Sequence, residues 1–107
     1  MPIYNKLVRD GILEIIMADG KDFNSRILLP EEHLVEIKKK LYEEVKEFEL
    51  AKTNEEAIEE LADILELLHS SLKVYQVDYE YLESVRVKKK EIRGGFDKGI
   101  FLVEVED

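Results

Sequence analysis

Residues 41–68 read LYEEVKEFELAKTNEEAIEELADILELL. Two acidic motifs, Glu43-Glu44-Val45-Lys46-Glu47 and Glu59-Glu60-Leu61-Ala62-Asp63, stand on either side of Lys52-Thr53-Asn54. Around them apolar residues recur every three or four positions, the period of an amphipathic helix. One stripe is Leu34, Ile37, Leu41, Val45 and Phe48; the other is Ile58, Leu61, Ile64, Leu65, Leu68 and Leu72. Pro30 suits the first position of a helix, where its missing N–H is not needed. Thr53 followed by Glu56 is a capping box, which starts a new helix. The spacing predicts one helix from Pro30 to about Ala51 and a second from Thr53 to about Tyr75. So short a connection turns the two antiparallel.

In such a hairpin Glu44 and Asp63 lie equally far from the turn, and so do Glu47 and Glu60. At about 100° per residue, Glu44 and Glu47 sit roughly 80–140° to one side of their apolar stripe. Glu60 and Asp63 sit at a similar offset of the same sign, which brings both pairs to one side of an antiparallel pair. Four carboxylates are therefore expected to converge about 10–14 Å from the turn, at about 1.5 Å per residue. Neighbouring carboxylates repel unless they are protonated or bridged by cations. Oxygen-only ligands suit Mg²⁺, with Mn²⁺ as a substitute, or Ca²⁺. The plainer alternative is a solvated acidic face, since 25 acids among 107 residues produce such pairs by chance. Against it, the line through Glu56, Glu60 and Asp63 continues as Leu67 and Val74, where a solvated face would stay polar.

Outward from the hairpin, residues 1–9 read as an extended lead-in. A short helix is expected at about 10–18, capped by Asp10 and ended by Gly20. Residues 24–29 look like a short strand. Asp78 caps a fourth helix to about Ile92, and Gly94-Gly95 stop it. The tail from Gly99 to Val105 is β-like, with room for a small two-stranded β ribbon against 24–29. The expected architecture is all-α: one domain, 1–107, of four mostly antiparallel helices. A hairpin leaves flanks of its apolar surface open, and a chain of this size buries little surface alone, so a homodimer or homotetramer is expected.

Composition narrows the function classes. With no cysteine, disulfides, thiolate metal sites and a cysteine nucleophile are excluded. The first ten residues lack the apolar core of a signal peptide, and no apolar run has transmembrane length; the expected compartment is the cytoplasm. A net charge of −9 disfavours nucleic acid and anionic membranes as partners. A polyanionic small substrate stays open if a divalent cation bridges the repulsion. Lys6, Arg9, Lys89 and Arg93 are the candidate phosphate contacts, arginine offering a fork that fits phosphate oxygens. Each has a plainer role too: Lys89 and Arg93 in complementing a helix dipole, Lys6 and Arg9 in pairing with acidic helices. His33 and His69 are assigned no catalytic part, and Tyr75, Tyr79 and Tyr81 are read as packing residues.

The motifs EExxE (Glu43 to Glu47) and EExxD (Glu59 to Asp63), about a dozen residues apart, resemble those of the all-α nucleoside-triphosphate pyrophosphohydrolases. The lead-in Tyr4-Asn5-Lys6-Leu7-Val8-Arg9-Asp10 and the late Arg93-Gly94-Gly95-Phe96-Asp97-Lys98-Gly99-Ile100 look like the small MazG-like, phosphoribosyl-ATP pyrophosphohydrolase-like branch. The resemblance implies Mg²⁺-dependent cleavage of a nucleoside triphosphate between the α and β phosphates, giving monophosphate and pyrophosphate in a house-cleaning role. It implies Glu44, Glu47, Glu60 and Asp63 as metal ligands, and Glu43 as the residue that orients the attacking water or binds a second metal. Two departures stand out. Gly11 replaces a lysine common after the Arg-Asp pair, and Ile64 to Leu68 lack the tyrosine–histidine pair of the histidine-synthesis enzymes. The competing reading is a metal-stabilised helical interaction or regulatory module without catalysis.

Overall fold

Local signals set nearly every helix boundary. A computed structural model describes residues 2–107 and shows four helices: α1 (Ile12–Ala18), α2 (Pro30–Leu50), α3 (Asn54–Tyr75) and α4 (Tyr79–Arg93). Leu29 is extended (φ −68°, ψ 156°) and Pro30 opens α2. The Glu32 carboxylate accepts from the Leu29 N–H at 3.3 Å and takes the Arg26 guanidinium at 2.9 and 3.2 Å. Thr53 caps α3, its Oγ1 accepting from the Glu56 N–H at 3.1 Å. The Glu56 carboxylate reaches back to the Lys52 N–H at 2.9 Å, one residue beyond the partner of a standard capping box. Replacing Thr53 with alanine should lower stability by about 1 kcal/mol, read as a shift of the urea midpoint at unchanged slope. A change near zero would mean that the Glu56–Lys52 contact alone holds this end.

Gln76, in the left-handed region at φ +61°, closes α3. Asp78 caps α4 by accepting from the Tyr81 N–H at 2.8 Å. Gly94, at φ +82°, lies just past the end of α4, a conformation open to glycine without strain.

The chain divides into two compact units, one ending at Gln76 and the other Val77–Asp107. In the first, α2 and α3 pack against each other across the connection 51–53. Ile37 is fully buried. Among the less exposed positions, one line on each helix follows heptad spacing: Leu34, Ile37, Leu41 and Glu44 on α2, and Ala57, Glu60, Ile64, Leu67, Ser71 and Val74 on α3. Such spacing marks the narrow seam along which two helices pack.

The structure departs from expectation in three places. Helix α1 begins at Ile12, not Asp10; Gly11 is its N-cap and offers no side-chain acceptor. The Ile12 N–H is taken by the Arg9 carbonyl instead, at 3.1 Å. The β ribbon is not formed, and no strand occurs among the described residues. A strand needs a ladder partner, while Arg26 and Leu29 are engaged in starting α2 and Gly99 turns back to hydrogen-bond Phe96. Lastly, most of the strongest apolar stripe of α3 is open: Ile58, Leu61, Leu65 and Leu68 are all exposed. The inward line of α3 is the one that carries Glu60. No helix among the described residues is long and apolar enough to cross a membrane.

Candidate metal centre

Seam positions in a helix pair are normally apolar, yet Glu44 and Glu60 occupy two of them. Glu44 is only 9% exposed. Oxygens of Glu44, Glu60 and Asp63 all lie within 4.8 Å of one another. Both Glu60 and Asp63 reach this point because three residues on a helix subtend about 60°, so the two straddle the direction that faces α2. The same angle works against Glu47. One turn after Glu44 and rotated by the same 60°, it is exposed and stands outside the group. The expected convergence of four acids is thus a convergence of three.

Two features mark the cluster as short of positive charge. Oε2 of Glu60 is buried and no hydrogen-bond donor reaches it, a condition that native proteins rarely leave uncompensated. The Glu44 carboxyl is pushed up to about 7, first by burial, then by its hydrogen bond with Glu60 and by the charges of Asp63 and Glu60; Lys40 opposes this. Two carboxylates can share a hydrogen bond only if one of them holds a proton, so without a cation a proton takes that place near neutrality.

The shift has a sign. Unfolded, Glu44 releases its proton near the ordinary glutamate value. Folded, it keeps the proton to about pH 7. Between those values the native state binds the extra proton, so the contribution is complete below about pH 4.5 and fades as pH rises to about 7. In a chelator, the protein should be more stable at pH 5 than at pH 8, by on the order of 2 kcal/mol. Thermal melts at the two pH values test this, and equal or higher stability at pH 8 would refute it. Glu32 and Glu83, held low by Arg26 and Arg86, lose their contributions only at more acidic pH.

Around the cluster, Arg9 donates from Nη2 to Asp63 Oδ1 at 2.5 Å, and the charges of Glu66 and Glu44 add to its attraction. Lys40 lies 3.4 Å from Glu43 and 4.0 Å from Glu44. Glu43 is exposed. Lys6 sits 6.0 Å from the centroid of the Tyr4 ring. Lys89 and Arg93 are exposed on α4, in the second unit. Lys40 and Glu66 are the participants that sequence reading passes over; their signals are the i,i+4 spacing of Lys40 to Glu44 and the i,i+3 spacing of Asp63 to Glu66.

The donor set fits a hard divalent cation. Opposite ligands of Mg²⁺ stand about 4.2 Å apart and adjacent ones about 3 Å, for bonds of about 2.1 Å. Three oxygens within 4.8 Å of one another need little adjustment to meet one ion, and that ion would bring positive charge to the carboxylate whose Oε2 no donor reaches. Comparison of the chain with family models, curated proteins and solved structures finds no match.

Proposed function

We propose that this chain is a nucleoside triphosphate pyrophosphohydrolase, cleaving between the α and β phosphates in a Mg²⁺-dependent reaction, with Mn²⁺ as a substitute. The observation that carries the reading is the meeting of Glu44, Glu60 and Asp63 within a helix seam, with one Glu60 oxygen buried there without a donor. Charged residues in a packing seam weaken the fold, and such violations concentrate where function requires them. Bound there, a divalent ion screens the phosphates and lowers the pKa of a coordinated water. Glu44, Glu60 and Asp63 would hold it, with Glu47 able to join only by rotating inward. Glu43, next to Glu44 and restrained by Lys40, is the candidate for orienting the water that attacks the α phosphorus as pyrophosphate leaves. Lys6 and Arg9, in the same unit as the three acids, are the reserve of positive charge for the outer phosphates. The open stripe Ile58, Leu61, Leu65 and Leu68 supports assembly as a homodimer or homotetramer.

That stripe also favours the second reading, a metal-stabilised interaction or regulatory module. A panel of nucleoside triphosphates incubated with Mg²⁺ or Mn²⁺, with products separated by chromatography, distinguishes the two. Monophosphate plus pyrophosphate from at least one nucleotide is the expected result. No cleavage of any nucleotide, with metal still raising the melting temperature, would leave the module as the better account.

A further inference from the structure

Arg9 precedes α1, and its partner Asp63 lies 54 residues further along the chain. The contact ties the lead-in to the middle of α3 through one of the three acids that meet in the seam. Its guanidinium remains largely in solvent, with 59% of the side chain exposed against 36% for Asp63. The buried Glu60 oxygen stays without a donor. Arg9 therefore neutralises the rim of the cluster and leaves its interior uncompensated. A small divalent ion would reach both, and in doing so would compete with Arg9 for the charge of the Asp63 carboxylate.

We propose that Arg9 is a latch that metal displaces: it pins the lead-in to α3 while the three acids hold no cation, and it lets go when a divalent ion binds Asp63. This rests on the metal-binding part of the reading above. Occupancy of the centre and docking of the lead-in then oppose each other by the same factor, as linkage requires. Exposed ion pairs of this kind are worth up to about 1 kcal/mol, which converts to a change of roughly 3–5-fold in metal affinity. The released guanidinium, with five donors in a fixed fork, becomes free to meet a phosphate beside the ion.

The test uses Mn²⁺ alone at pH 8, with calorimetry on the parent, Arg9→Ala and Arg9→Gln. A second measurement exploits the lack of cysteine: Ile3→Cys, at a position 79% exposed, carries a single fluorescent label whose anisotropy reports the lead-in. Both Arg9 variants should bind Mn²⁺ about 3–5-fold more tightly than the parent. The label should gain mobility when Mn²⁺ saturates the parent, and should be mobile from the outset and indifferent to metal when Arg9 is replaced. Parent binding that both variants match or fall below, or a label unmoved by saturating metal, would overturn the latch while the metal centre stands. Absence of Mn²⁺ binding by the parent would sink the metal centre and the latch together.

Discussion

Glu60→Gln should reduce Mg²⁺-dependent pyrophosphate release by about 10³-fold while making the metal-free chain more stable. The two effects share one cause. Glutamine preserves the volume of the seam but removes a charge from a cluster in which Glu44, Glu60 and Asp63 crowd within 4.8 Å. Its amide can donate to Glu44, so the pair keeps a donor without taking up a proton. Glu44 should then titrate nearer its ordinary value, and the extra stability at pH 5 over pH 8 should shrink; burial, the first cause of the shift, and the charge of Asp63 keep part of it. The same change removes one of the three charged ligands, and with it the means of holding an ion against substrate. A rise in melting temperature together with loss of turnover is the pattern of a residue kept for function at the expense of stability. A variant as active as the parent would exclude Glu60 as a metal ligand. A variant that loses stability without metal would contradict the reading of the seam as an uncompensated acid cluster.

Ile37→Ala should destabilise the chain by about 2–5 kcal/mol, the range for truncating a fully buried aliphatic side chain. Ile37 is 0% exposed, lies two turns before Glu44, and is the one fully buried large side chain among the described residues. Small domains have only about 5–15 kcal/mol in total, so this truncation should bring the protein close to unfolding at ordinary temperature. Val35→Ala, two residues away on a side chain 52% exposed, is the control and should change stability by less than about 0.5 kcal/mol. Urea denaturation of both variants is the measurement. Similar losses for the two would mean that the seam is not where the first unit is held together, and that the exposed stripe of α3 supplies more of its stability than the packing around Ile37.

Helix α3 turns a different face inward from the one its apolar residues predict. Its most apolar stripe, through Ile58, Leu61, Ile64, Leu65, Leu68 and Leu72, predicts the face turned to α2, yet Ile58, Leu61, Leu65 and Leu68 are exposed and only Ile64 and Leu72 are half-buried. The inward line is the mixed one through Ala57, Glu60, Ile64, Leu67, Ser71 and Val74. The continuation of the acidic line into Leu67 and Val74 signals partial burial in the sequence itself, and the structure agrees. A stripe count ranks faces by hydrophobicity, but a protein with two apolar surfaces to cover need not spend the larger one within its own hairpin.

The amino-acid sequence by itself determined the four helices, through apolar residues at helical period, Pro30 at a helix start, and the Thr53 and Asp78 caps. It also determined that acids on α2 and α3 would lie at matched distances from their connection, because residue spacing fixes height along a helix. Only the tertiary structure decided that Glu44, Glu60 and Asp63 meet while Glu47 faces solvent, that one Glu60 oxygen is sealed without a donor, and that Arg9 reaches Asp63. Sequence fixes the angle of each side chain about its own helix axis; which angle faces the neighbour is set when two helices rotate into the packing that fills the space between them.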